Sequence, residues 1–280
     1  MTAKKTLDGR LAGRSVALLG CGKMGGALLE GWIRAGLDPA RAVIYEAHVS
    51  PAVERFAALG AQVNPAQPPQ DSAAVLLAVK PQSLDEALPG VAPLLGPGRL
   101  ALSIAAGKTL DWLAARLPAG TPLVRAMPNT PAAIGRGISA LIANAAADDA
   151  ERGLAEALMA AAGETLWLPS EDLMDAVTAV SGSGPAYVFH MAEALAAAGE
   201  SAGLPAELSL RLARATVSGA GALLDAESGQ TAAELRAAVT SKGGTTAAAL
   251  EHLMRAESGL SSLMTQAVSA AAARSRELSS

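Results

Sequence analysis

Seven short, β-favouring apolar runs fall within the first 169 residues, and none follows. They are SVALLG (15–20), AVIYE (42–46), AVLLAV (74–79), LALSIA (100–105), PLVRAM (122–127), GISALI (137–142) and ETLWLP (164–169). Amphipathic segments such as GGALLEGWIRAG and TLDWLAARL lie between several of them. Apolar strands interleaved with helices call for a sheet covered on both faces, which is the doubly wound, mostly parallel α/β arrangement. Beyond residue 170 the period changes. EDLMDAVTAV, PAYVFHMAEALAAAGESAG, PAELSLRLARATVSGAGALLDAE, TAAELRAAV and GLSSLMTQAVSAAAARSREL all carry helical spacing. Pro185 and Pro205 stand where first helical turns begin, and there a missing N–H costs nothing. The pattern predicts an α/β domain over 1–169 and an all-helical domain over 170–280.

Half of the 280 residues are apolar, ample for two cores. Many apolar positions of the second half are Ala, which buries little area, so a second subunit is expected to complete that core. The 22 basic and 26 acidic residues nearly cancel, and two Phe, two Tyr and three Trp offer little for bases to stack on, so nucleic acid is not an expected partner. Cys21 stands alone, which excludes an internal disulfide. The opening MTAKKTLDGRLAGR lacks a secretory apolar stretch, and no apolar run approaches a bilayer span of roughly 20 residues. A cytoplasmic protein free of membrane segments is expected. His48, His190 and His252 are far apart without ligand-spaced partners, so no metal is expected.

VALLGCGKMGGALLEG places Gly20, Gly22 and Gly25 in G-x-G-x-x-G spacing, with Cys21, Lys23 and Met24 between them. The motif follows a predicted strand and opens a predicted helix, the context in which it binds a dinucleotide. Gly20 permits a tight turn, Gly22 lets a pyrophosphate approach, and Gly25 lets helix and strand pack. The helix N-terminus adds N–H donors and positive potential. Glu46 ends the second run, where an acidic side chain takes the adenosine ribose of NAD and repels the 2′-phosphate of NADP. His48, Ser50 and Arg55 follow and can instead receive a phosphate, or Glu46 is a solvated loop residue. NADPH and NADH both stand as cofactors. Cys21 reads as a small packed residue, since no histidine lies beside it to make it a nucleophile.

Six separated stretches, GCGKMG, AVKPQ (78–82), SIAAG (103–107), RAMPNTP (125–131), AVSGSGPAYVF (179–189) and TSKGGTT (240–246), resemble pyrroline-5-carboxylate reductases, in the same order. The resemblance covers roughly residues 14 to 270. It implies an N-terminal Rossmann-like domain, a C-terminal helical dimerisation domain, and NAD(P)H-dependent reduction of pyrroline-5-carboxylate to L-proline, the last step of proline synthesis. A homodimer, or a larger ring of dimers, follows from it. By position, Ala78, Val79, Lys80 and Pro81 form a loop against the cofactor, acting largely through backbone. Ala105, Ala106 and Gly107 suit close packing by the nicotinamide end. Asn129 either binds the carboxamide or shapes the turn before Pro131. Ser181 to Gly184 form a helix entrance with Ser183 as a candidate cap, and either Glu171 or Asp172 borders the site or simply favours a helix N-terminus.

SKGGTT precedes the helical pattern AAALEHLMRA, so its N–H groups lie at a helix start, where unpaired donors and the dipole attract anions. Gly243 and Gly244 leave that backbone uncovered by any Cβ. By resemblance, Ser241 and the Gly243, Gly244 and Thr245 backbone hold the substrate carboxylate, and Thr246, the catalytic candidate, hydrogen-bonds the ring nitrogen. Lys242 replaces a commoner proline of the family and reads as a solvated side chain. No strong acid stands among these residues, so the substrate enters as its iminium or a water relays a proton through Thr246. Two other readings stand: a related imine or β-hydroxyacid reductase, and a non-catalytic NAD(P)H-sensing regulator. The first lacks an evident Lys or His acid, and the second has no use for a second anion site.

Overall fold

The computed structural model describes residues 7–279. The chain divides into two compact units, one of residues up to 182 together with those from 272 onward, the other of residues 183–271. Strands β1 (Ser15–Leu19), β2 (Ala42–Tyr45), β3 (Gln62–Val63), β4 (Ser72–Leu77), β5 (Leu100–Ser103), β6 (Leu123–Met127), β7 (Gly137–Ala143) and β8 (Gly163–Trp167) form one sheet of order 3-2-1-4-5-6-7-8. Pairing is parallel from β3 to β6, antiparallel between β6 and β7, and parallel again between β7 and β8. All seven expected strands are present. The two-residue β3 lacks an apolar run and is not foreshadowed.

Along β1 the residues alternate between two cores, as the period of a strand demands. Val16 and Leu18 join Leu11 of α1 (Leu7–Leu11), Leu28, Leu29 and Trp32 of α2 (Lys23–Arg34), Phe56 of α3 (Pro51–Ala58) and Leu158 of α6 (Asp149–Ala160). Ala17 and Leu19 face the other layer, with Val75, Leu77, Leu84 of α4 (Leu84–Ala87), Val91 and Leu113 of α5 (Leu110–Ala114). Trp32 is fully buried, and its ring N–H donates to the Leu158 carbonyl at 2.7 Å, so α2 and α6 share a polar contact inside an apolar layer. The second layer is built from short pieces. Between β4 and β5 a four-residue helix, Leu84–Ala87, is followed by 3-10 turns at Leu88–Gly90 and Ala92–Leu94. Pro89 and Pro93 deny those segments the backbone N–H that a longer helix would use.

The sheet unit continues past 169, where the sequence period changes. A one-turn helix, Met174–Val177, leads into a π-helical stretch, Thr178–Gly182. The hydroxyl of Ser275 donates to Asp175 at 2.6 Å and ties the end of the last helix, Leu260–Ser279, to this segment.

The other unit is helical: Gly184–Ser201, Ala206–Ala226, Ala232–Ala238, Thr245–Leu253 and the first part of Leu260–Ser279. Its first two helices pack through small residues. Ser209 donates to the Ala196 carbonyl at 2.6 Å, and a Cβ on Gly199 would stand 2.1 Å from the Ser209 hydroxyl. Large apolar side chains remain outside: Phe189, Leu210, Leu223, Leu224, Val239 and Leu263 are each about half exposed or more. An apolar surface of that kind marks an interaction face. Among the described residues, no helix is long and apolar enough to cross a membrane.

Candidate active site

Parallel register brings the loops that follow β1, β2, β4 and β5 to one edge. Leu19 pairs with Tyr45 on one side and Leu77 on the other, and Leu77 pairs with Ser103. The hydrogen bonds continue one step beyond the strands: Gly20 N–H to Tyr45 at 2.9 Å, Ala78 N–H to Leu19 at 2.8 Å, and Ile104 N–H to Leu77 at 3.1 Å. Gly20–Gly25, Glu46, Ala78–Pro81 and Ala105–Gly107 therefore emerge together at the carboxyl end of the sheet. Strand order reverses between β1 and β4, the place where open α/β sheets take ligands.

The three glycines of the front loop meet different surroundings. Gly20 has φ of +94°, and a Cβ there would stand 2.8–2.9 Å from Val79 and the Ala78 carbonyl carbon. A Cβ on Gly25 would meet the Gly20 carbonyl oxygen at 2.4 Å, so α2 can start this close to β1 only without one. Gly22 faces open space, with nothing within 4 Å of its would-be Cβ. It is the N-cap of α2 and supplies no side-chain acceptor to the first-turn N–H groups. An open glycine, uncapped amides and the exposed Lys23 fit a pyrophosphate. Beside them runs a groove of about 530 Å³, lined among others by Lys23, Glu30, Arg34, Ser50 and Arg55.

Glu46 lies within this arrangement. Its Oε2 accepts the Cys21 N–H at 2.7 Å and its Oε1 the His48 N–H at 3.4 Å. Asn64, next after β3, holds the Glu46 backbone at both ends: its carbonyl oxygen accepts the Glu46 N–H at 3.0 Å, and its NH2 donates to the Glu46 carbonyl at 2.8 Å. Asn64 has φ of +45°, a left-handed conformation that asparagine tolerates better than most residues. Sequence reasoning passed it over; an Asn between Val63 and Pro65 was the signal available. Ser50 caps α3 by accepting the Val53 N–H at 3.4 Å, and Arg55 pairs with Glu30. Cys21 is buried, and that burial, followed by the Glu46 charge, pushes its thiol up to about 11.

Lys80 is exposed and opens a 3-10 turn, while Ala105 and Gly107 are buried, with Gly107 at φ of +73°. Asn129 shapes the turn from β6 into β7: its side-chain carbonyl accepts the Ile138 N–H at 3.0 Å. One sequence expectation changes. Ser183 makes no side-chain cap to the helix that follows. The carboxylate of Glu171 is committed within the fold, where it pairs with the buried Arg125 and accepts the Leu110 N–H at 2.9 Å.

The 241–246 segment belongs to the helical unit. Gly243 has φ of +70° with nothing within 4 Å of its would-be Cβ. Gly244 is the N-cap of the Thr245–Leu253 helix and, like Gly22, brings no side-chain cap. The Ser241 hydroxyl crowds over it, 2.4 Å from where a Cβ would be, and the Gly244 N–H bonds back to the Ser241 carbonyl at 3.0 Å. Ser241, Gly244 and the half-buried Thr246 thus share one helix start with unpaired leading N–H groups.

Two family models match the chain: one for pyrroline-5-carboxylate reductase dimerisation over residues 171–278, and one for NADP oxidoreductase, coenzyme F420-dependent, over 15–107. A pyrroline-5-carboxylate reductase of Pseudomonas aeruginosa is 40% identical over 269 residues, covering 94% of this chain and 96% of the relative. That of Glycine max is 36% identical over 268 residues, covering 95% and 96%. Among solved structures, a pyrroline-5-carboxylate reductase from Coxiella burnetii is 34% identical with a TM-score of 0.87, over 95% of this chain and 99% of that one. A pyrroline carboxylate reductase from Plasmodium falciparum, solved with NADP bound, is 26% identical with a TM-score of 0.79, over 95% and 98%. Matched along nearly its whole length, with its glycine loop open and its second glycine-led helix uncapped, this chain belongs to the pyrroline-5-carboxylate reductase family.

Proposed function

We propose that the protein reduces pyrroline-5-carboxylate to L-proline at the expense of NAD(P)H. The observation that carries this reading is a pair of glycine-led helix starts without side-chain caps, Gly22 and Gly244, in a chain 40% identical to a pyrroline-5-carboxylate reductase. One suits the pyrophosphate of a dinucleotide and the other the carboxylate of a small acid. The reduced nicotinamide supplies the hydride that the imine carbon receives. Everything else is the work of the chain.

Gly20 to Gly25, Ala78 to Pro81 and Ala105 to Gly107 form the cofactor side, acting through backbone and lack of bulk. Asn129 contributes mainly by holding the turn beside them. Ser241, Gly243, Gly244 and Thr245 bind the carboxylate, and Thr246 hydrogen-bonds the ring nitrogen. The product needs a proton on that nitrogen. It arrives with the substrate as its iminium or through a water that Thr246 orients. Rate comes chiefly from positioning the two reactants. The exposed apolar face of the helical unit and the matched dimerisation model support a homo-oligomer, built from dimers and extending to rings of dimers. The single cysteine fits a cytoplasmic enzyme.

The test is to follow loss of NAD(P)H and appearance of proline with pyrroline-5-carboxylate as substrate. Cofactor binding without turnover would sink the enzyme reading and favour a sensor.

A further inference from the structure

We propose that Asn64 sets the cofactor preference of this enzyme. By fixing the backbone of Glu46, it holds that carboxylate at the mouth of the glycine loop, where it accepts from the hydroxyls of an adenosine ribose and turns away a 2′-phosphate. The proposal rests on the reading of that loop as a dinucleotide cradle.

The geometry is over-determined in a way a solvated loop residue is not. Asn64 is anchored to β2 through its own N–H, bonded to the Ile44 carbonyl at 2.8 Å. Its side chain then clasps the residue that follows the strand, at the Glu46 N–H and C=O. Glu46 cannot rotate about its backbone without breaking both bonds. Its Oε2 is satisfied by Cys21, so the carboxylate sits against the backbone of the glycine loop. Oε1, with only a long bond to His48, retains capacity for a hydroxyl donor. A phosphate on that ribose would meet a like charge instead. Of the three residues that follow and can receive a phosphate, Ser50 caps α3, Arg55 pairs with Glu30, and His48 gives its backbone N–H to Glu46.

The test is equilibrium binding of NADH and NADPH without substrate, read by fluorescence titration, in the wild type, Glu46→Gln, Asn64→Gly and the double variant. Glycine keeps the positive φ accessible and removes only the side-chain bonds. The wild type should bind NADH ~10- to 100-fold tighter than NADPH, the span expected for hydrogen bonds to a charged group. Glu46→Gln should bring the ratio close to unity. Asn64→Gly should lower it in the same direction, because the side chain it removes bonds the Glu46 backbone, and the double variant should match Glu46→Gln alone. A merely structural role would weaken both dinucleotides equally and leave the ratio intact, and that result overturns the proposal. So does a wild type that binds NADPH as tightly as NADH. Failure of the wild type to bind either would instead remove the cradle reading on which the proposal stands.

Discussion

The guanidinium of Arg125, on β6 with 7% of its side chain exposed, pairs with the carboxylate of Glu171, which leads out of the sheet toward the π-helical stretch. Removing one partner of a buried pair leaves an uncompensated charge, which typically costs ~3–5 kcal/mol. Glu171 keeps 28% exposure, so water relieves part of that cost. Glu171→Ala should therefore destabilise by about 3 kcal/mol in urea unfolding, and Glu171→Gln by less. A change within ~0.5 kcal/mol, the range of ordinary surface substitutions, would show that the pair does not hold this segment.

The front loop predicts opposite outcomes for two of its glycines. In Gly25→Ala the new methyl meets backbone oxygen at 2.4 Å, which cannot swing aside, so stability should fall by ~1–3 kcal/mol and dinucleotide binding with it. Gly22→Ala meets nothing in the protein, so its melting temperature should match the wild type. It should nonetheless weaken dinucleotide binding, because the methyl occupies the approach of the phosphate. Unaltered binding in Gly22→Ala would mean that the ligand does not lie on that face.

Thr246→Ala should lower kcat/KM for pyrroline-5-carboxylate by ~10- to 100-fold through loss of one hydrogen bond to a charged group. Cofactor affinity should be unchanged, because the glycine loop lies in the other compact unit. Wild-type kinetics in the variant would remove Thr246 from the reaction.

Cys21 should be nearly inert. With its thiol pushed up to about 11 by burial and then by Glu46, the thiolate at about pH 8 is on the order of 100-fold scarcer than for a free cysteine of pKa ~8.5. Iodoacetamide should modify the folded protein correspondingly slowly. The raised value also fixes a direction for stability: the folded state holds this proton more tightly, so the contribution is complete below ~8.5 and is lost as pH rises toward 11. Rapid alkylation at neutral pH would contradict the packed position.

Leu223 is 48% exposed in the single chain, so an aspartate there does not disturb a subunit core. Leu223→Asp should keep its helical circular dichroism, sediment as a smaller species and lose activity. The oligomer assignment fails if the wild type is fully active at the mass of one chain at micromolar concentration.

Much of the architecture was legible along the chain because its signals are local. Each of the seven strand runs carries its own period, and the spacing of Gly20, Gly22 and Gly25 announces the turn it makes. The structure adds helix caps at Ser50, Thr109 and Thr231 that the sequence reading did not name, although each hydroxyl finds its N–H within three residues. Ser183 shows the limit of such reasoning. It has the right chemistry for a cap, but the π-helical stretch delivers it in a helical conformation, which takes its hydroxyl out of position.

By itself the sequence determined the α/β sheet, the change to helices after it, the glycine loop and the glycine-led helix start at 243–245, since each depends on residues a few positions apart. Only the tertiary structure decided which partners distant residues take. The antiparallel turn of β7 onto β6 depends on Asn129 reaching the Ile138 N–H, and β3 exists only through its pairing with β2. Glu46 found Cys21 and Asn64 at separations of 25 and 18 residues, and Arg125 found Glu171 at 46. A carboxylate carries no local mark of which donor it will meet. That choice is made when the strands align and burial leaves each charged or polar group a small set of neighbours able to satisfy it.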